Sequence, residues 1–137
     1  MQTTFMNTYV EKFDSGTEIL ENKNHVFAPK WMANSSVTWK PISKFQININ
    51  ARYLDESFME LSNDKSYTIP SSFVLNSRAS WNIRDAISVS LWVNNILDKQ
   101  YFTDGAPVDL DYDGISEGPG YRIQAPRSVF LNFSLKF

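Results

Sequence analysis

Asp109-Leu110-Asp111-Tyr112-Asp113-Gly114 is the stretch of this sequence whose residue types come closest to a ligand set. Alternate carboxylates ahead of a glycine turn can wrap a hard cation such as calcium through oxygen atoms. An EF-hand loop needs an acid at its twelfth position, which here is Gly120, so that loop type is excluded. Glu117 is the acid available in its place. The pattern makes Asp109, Asp111 and Asp113 the candidate metal ligands, with calcium as the one cofactor considered. The competing reading is a solvated acidic surface loop, or one bridged by divalent ions to neighbouring anionic groups.

Little else in the chain suits chemistry. His25 is the single histidine and there is no cysteine, so neither a base–nucleophile pair nor a thiolate metal site can be assembled. No glycine-rich phosphate loop occurs. An enzyme is therefore not expected. Arg52, Arg78, Asn48, Asn50 and Asn76 fall on what the alternation below makes a polar strand face. There they would wet an interior or touch a ligand anion. Trp92 breaks that pattern by sitting on the polar face, where it would stack on a ligand or pack against another domain.

The elements that position these residues come from composition and period. Aromatics reach 15%, with ten Phe, six Tyr and four Trp, which a disordered chain would lack. A net charge of −2, with no run of basic residues, gives nucleic acid nothing to bind. No stretch of 18 apolar residues occurs, and the N-terminus lacks the charged and apolar regions of a signal peptide. Those features suit a soluble protein, but a membrane strand alternates apolar and polar residues and so escapes window hydropathy.

Period-2 alternation dominates the chain. Trp31, Ala33, Ser35, Val37 and Trp39 oppose Met32, Asn34, Ser36 and Thr38. Phe45, Ile47, Ile49, Ala51 and Tyr53 oppose Gln46, Asn48, Asn50 and Arg52. Phe73, Leu75, Ala79 and Trp81 oppose Asn76, Arg78 and Ser80. Ile87, Val89, Leu91 and Val93 oppose Ser88, Ser90 and Asn94, and Val129, Leu131, Phe133, Leu135 and Phe137 close the chain. Side chains alternate across a strand, so each segment has one apolar and one wet face. A weaker strand over residues 4–13 brings the expectation to about six. The fold class is all-β, an antiparallel up-and-down meander.

The connections alternate in length. Residues 41–44 and 82–86 read as short turns, whereas 14–28, 59–66 and 103–125 read as longer polar loops. Short turns on one rim and long loops on the other describe an outer-membrane barrel wall. Trp31 and Trp39, Phe45 and Tyr53, and Phe73 and Trp81 are each eight positions apart. At a rise of ~3.3 Å and a tilt of ~40°, that spacing covers roughly 20 Å of membrane normal, close to the apolar band of such barrels. These six are the candidate aromatic girdle, against an ordinary soluble core as the alternative. Trp39, Phe45, Trp81 and Phe137 would share the short-turn rim.

Phe137 ends a strand with Leu135 and Phe133 at alternate positions. This resembles the C-terminal signature by which bacterial barrel-assembly machinery recognises outer-membrane proteins, and makes those three the candidate assembly signal. Val93-Asn94-Asn95-Ile96-Leu97-Asp98-Lys99-Gln100-Tyr101-Phe102 resembles the VNNLFDKxYY stretch near the end of TonB-dependent outer-membrane receptors. Ala125-Pro126-Arg127 is similar to the start of their last strand. Ala28-Pro29-Lys30 and the stretch from Tyr67 to Asn76 add support. The resemblance covers nearly the whole chain and is weakest before about Val26.

That resemblance implies residues 1–137 as the C-terminal segment of a large transmembrane β-barrel in the bacterial outer membrane. It also implies a plug domain and remaining strands that this sequence does not contain. The implied activity is active import of scarce ligands, iron–siderophore complexes being the commonest in the family. The implied partners are outer-membrane lipid and lipopolysaccharide, the barrel-assembly machinery, the rest of the receptor, a small-molecule ligand and, indirectly, TonB. Two other readings stand beside it. A porin-like barrel would lack a plug-coding region upstream, and a soluble all-β binding domain would fold as a monomer without detergent.

Overall fold

Charge placement explains which parts of the chain join the main sheet and which do not. In a computed structural model, residues 2–5, 8–14, 16, 19–112 and 114–136 are described. In chain order the strands are β1 (Gln2–Phe5), β2 (Tyr9–Asp14), β3 (Ile19–Asn24), β4 (Trp31–Ile42), β5 (Phe45–Leu54), β6 (Ser57–Phe58), β7 (Thr68–Ile69), β8 (Ser72–Arg84), β9 (Ile87–Asn94), β10 (Phe102–Val108), β11 (Gly118–Ile123) and β12 (Ser128–Leu135). Six form one sheet in the order β1-β4-β5-β8-β9-β12, and every neighbouring pair is antiparallel. Among the described residues no helix is long and apolar enough to cross a membrane, which says nothing about crossing by strands.

The expected single strand over 4–13 divides. β1 stays in the sheet, with Phe5 opposite Trp31, while β2 pairs with β3 as a separate hairpin. Glu11, Lys12 and Asp14 lie within the six residues of β2, so both of its faces carry charge and suit water. The long connections are likewise folded rather than open. Residues 55–71 hold the β6–β7 pair, and residues 95–127 hold the β10–β11 hairpin.

The opposite rim is made of two tight turns, at residues 43–44 and 85–86. Neither turn holds a residue with positive φ, which a two-residue primed turn needs. Each descending strand instead takes up one extra residue just before its turn, between Trp39 and Ile42 and between Asn82 and Arg84. A bulge of this kind restores the right-handed twist that an ordinary turn would splay. Pro41, with no N–H to offer a ladder, falls inside the first of these shifts.

The described buried apolar residues are few, namely Met59, Ile69 and Val74, all near the long-loop rim. Across the rest of the sheet Val37 is 64% exposed, Trp39 60%, Leu131 59% and Phe133 70%, values that a core-facing residue of a soluble sandwich would not have.

Candidate functional site

Register gathers the apolar alternation into continuous rows across strands. Trp39, Ile47, Ala79, Leu91 and Leu131 follow one another in one row, and Phe45, Trp81, Val89 and Phe133 in the next toward the tight turns. Ala33, Tyr53 and Phe73 form a row near the long-loop rim, beside Trp31 at the start of β4. The aromatics named from sequence thus occupy two levels. Trp39, Phe45 and Trp81 lie toward the tight turns, and Trp31, Tyr53 and Phe73 toward the loops. Phe133 and Leu135 are exposed on β12, whereas Phe137 lies outside the described residues.

The other face is polar and internally bonded. The Asn48 amide donates to Ser36 Oγ and Thr38 Oγ1, both at 2.9 Å, and the Asn50 amide donates to Asn34 Oδ1 at 2.9 Å. Ser80 and Ser90 share a hydrogen bond of 3.1 Å. Trp92, the aromatic out of pattern, lies opposite Arg78, whose guanidinium carbon sits 4.3 Å from its ring centroid. A cation over an indole face is favourable. Trp92 is therefore partnered within this wall.

At the long-loop rim a small knot ties three segments together. Asn95 is only 3% exposed and holds φ of 50°, a left-handed conformation that asparagine tolerates. Its backbone N–H donates to Asn76 Oδ1 on β8 at 2.9 Å, and its side-chain amide donates to the Lys99 carbonyl at 2.9 Å. Asp98, also at positive φ, accepts the backbone N–H of Arg127 at 2.9 Å and pairs with its guanidinium at 3.5 Å. The motif stretches around Asn76, Asn95 and Arg127, separate in sequence, converge on one place.

Above the knot the hairpins form a contiguous layer. Lys23 Nζ donates to the Ser62 carbonyl at 2.7 Å, and the Asn24 N–H donates to Asn63 Oδ1 at 2.6 Å, which joins the β2–β3 hairpin to the β6–β7 segment. The Tyr121 hydroxyl donates to the Thr68 carbonyl at 3.0 Å, and Tyr121 stacks on Phe102 with centroids 4.5 Å apart. A Cβ at Gly105 would fall 2.7 Å from both the Gly120 carbonyl oxygen and Met59 Cε, so this contact between segments requires glycine.

The acidic turn lies at the tip of the β10–β11 hairpin. Asp109, Asp111 and Glu117 bring carboxylate oxygens within 4.8 Å of one another, and Asp113 lies outside the described residues. Asp109 accepts the N–H of Tyr112 at 2.7 Å and of Gly114 at 2.8 Å. Glu117 accepts the N–H of Leu110 at 2.8 Å, and that bond holds its carboxyl below the usual range. The turn is thus closed by the chain's own donors, and three carboxylates giving one oxygen each supply about half of the six to eight oxygens calcium takes. His25 sits in a loop, its ring against the Val26 carbonyl at 3.2 Å.

Residues 3–96 match the family described as TonB dependent receptor-like, beta-barrel. The chain belongs to that family. A curated relative, the probable TonB-dependent siderophore receptor PiuA of Acinetobacter baumannii, is 29% identical over 75 residues, covering 55% of this chain and 10% of that protein. The crystal structure of PiuA superposes with a TM-score of 0.78 at 19% identity, over 98% of this chain and 19% of the other. BauA, the ferric preacinetobactin receptor of the same species, gives 0.68 at 20% identity over 98% of this chain and 19% of the other. The ferric citrate transporter FecA gives 0.65 at 25% identity over 88% and 19%. The chain therefore spans about a tenth of the curated relative and about a fifth of these solved barrels.

Membership makes the sheet a sector of a TonB-dependent receptor barrel in the outer membrane. The exposed apolar rows are its lipid side and the bonded polar rows its interior side. Sequence reasoning missed two things. The pairing of Arg78 with Trp92 needs the register of two strands, and the folding of the long loops is carried by segments of two to seven residues, too short for a period to show.

Proposed function

We propose that residues 1–137 serve as the C-terminal wall sector of an outer-membrane importer of iron–siderophore complexes. Outside the cell, the folded loop layer would contribute to ligand capture. The wall itself is passive and not an enzyme. Its lipid side fixes depth in the bilayer through the aromatics at two levels: Trp39, Phe45 and Trp81 at the inner interface, and Trp31, Tyr53 and Phe73 at the outer. Phe133, Leu135 and Phe137 are proposed as the signal read by the assembly machinery. The plug and remaining strands, lipopolysaccharide and, indirectly, TonB complete the list of partners.

The observation that carries this reading is the uncovered apolar face of a six-stranded meander in a TonB-dependent receptor barrel. Support for the ligand class comes from relatives whose names specify siderophore, ferric preacinetobactin or ferric citrate. The test is uptake of radiolabelled iron–siderophore complexes by cells carrying or lacking the complete receptor, with TonB present or deleted. Uptake that needs both is the expected result. Uptake unchanged by loss of the receptor across hydroxamate, catecholate and citrate carriers would end the proposal.

A further inference from the structure

Along its long strands the interior side of this wall carries cations and no carboxylate. Lys40, Arg52 and Arg78, with Lys136 just beyond β12, lie in phase with its polar rows, and β4, β5, β8, β9 and β12 contain no Asp or Glu. Of the described ion pairs, Arg122 with Asp104 lies in the loop layer and Arg127 with Asp98 in the rim knot. Near the tight turns, Lys40, Lys44 and Arg78 line one recess of about 340 Å³ together with Ser80, Ser90 and Asn82. Arg78 is already fixed by its stacking on Trp92. Asp85, the acid of the β8–β9 turn, borders the neighbouring recess instead.

Three cations around hydroxyl and amide groups, with no acid in the lining, leave positive potential directed into the recess. Low-dielectric walls focus such a field and raise the local concentration of anions. The two lysines and the arginine carry eleven N–H donors, and serine and asparagine add neutral ones, a combination matched to carboxylate or phosphate oxygens. We infer that this inner recess is an oxyanion-binding site on the interior face of the barrel, taking a carboxylate or phosphate group. The oxygens come either from carboxylate side chains of protein that fills the interior or from a free small anion. The inference requires that the polar face be the interior one, but not that the ligand imported be a siderophore.

Two measurements on the complete receptor in detergent test it. In the first, carbodiimide converts any carboxylate in contact with a lysine into an amide, and mass spectrometry identifies cross-links from Lys40 and Lys44. In the second, calorimetry follows pyrophosphate binding in the unmodified protein and in a Lys40→Gln/Lys44→Gln variant, at low and raised salt. A cross-link from either lysine to an Asp or Glu supports the site with a protein carboxylate as occupant. Pyrophosphate binding that weakens at least tenfold in the variant, and with salt in the unmodified protein, supports it with a free anion as occupant. Absence of both cross-link and salt-sensitive binding in the unmodified protein overturns the inference, and that outcome does not depend on whether the variant folds. Iron uptake is read separately, so failure here leaves the proposed import function untouched.

Discussion

Asn76 Oδ1 accepts the backbone N–H of Asn95 at 2.9 Å, which latches the end of β9 onto the strand that precedes it. The latch is one end of a chain of bonds. Asn95 holds Lys99, and Asp98 holds Arg127 at the start of β12. An outer rim built this way fixes where β9 leaves the bilayer and where β8 and β12 enter it.

Replacing Asn95 keeps the backbone donor of the latch and tests the side-chain bonds that continue it. Asn95→Ala removes the side-chain bonds and places a Cβ-bearing residue without a compensating polar group at positive φ. Asn95→Gly loses the same bonds but relaxes the backbone. Loss of a buried amide's partners costs about 1–3 kcal/mol. The expectation for the complete receptor is a lower urea midpoint for both variants, with Ala the worse. Midpoints equal to the parent would remove the knot from any role in stability.

The two faces should differ sharply in tolerance to charge. Leu91 and Leu131 lie opposite each other within a row on the apolar side, and Asn132 lies next to Leu131 on the other side. Arginine at a lipid-facing position near the bilayer midplane costs about 2–4 kcal/mol, whereas interior positions of a barrel accept it. Leu131→Arg is expected to lower unfolding stability in lipid by an amount set by its depth, up to about 4 kcal/mol, and Asn132→Arg to change it little. Equal effects at the two neighbours would contradict the assignment of faces.

Crowding at Gly105 gives a third test. Its φ lies outside the left-handed region, so alanine is barred by space rather than by backbone conformation. Gly105→Ala should push β10 off Met59 and speed proteolytic cleavage of the loop layer in intact cells. Met59→Ala opens room on one side only, because the Gly120 carbonyl oxygen stays 2.7 Å from the new Cβ. The double variant is expected to recover part of the protection. Full recovery would mean that Met59 alone sets the constraint.

Much of this architecture is legible in the sequence, and the reason is physical. A strand of eight to thirteen residues with lipid on one side must repeat its apolar residue at every second position, so β4, β5, β8, β9 and β12 announce themselves. The latch residues stand out as motif stretches, but that Asn76, Asn95 and Arg127 meet is a fact of register. The inner cations are similarly hidden. Lys40 and Lys44 are far from Arg78 along the chain, and only the pairing of β5 with β8 brings them round one recess. Segments such as β6 and β7, two residues each, carry no period at all.

Acid should open the β10–β11 tip through Glu117. Its carboxyl is held below the ordinary range chiefly by the Leu110 N–H it accepts. A group whose pKa is lower folded than unfolded stabilises the fold above its unfolded value, about 4.3 for Glu. That contribution declines as pH falls below this value and is lost once pH passes the depressed folded one. Exchange of the Leu110 amide is therefore expected to be slow at neutral pH and to lose its protection across that acid window, after correction for intrinsic rates. Glu117→Gln keeps an oxygen acceptor but cannot titrate, so its protection should be flat over the same range. An acid-induced loss identical in the Gln variant would remove Glu117 as the cause of the opening.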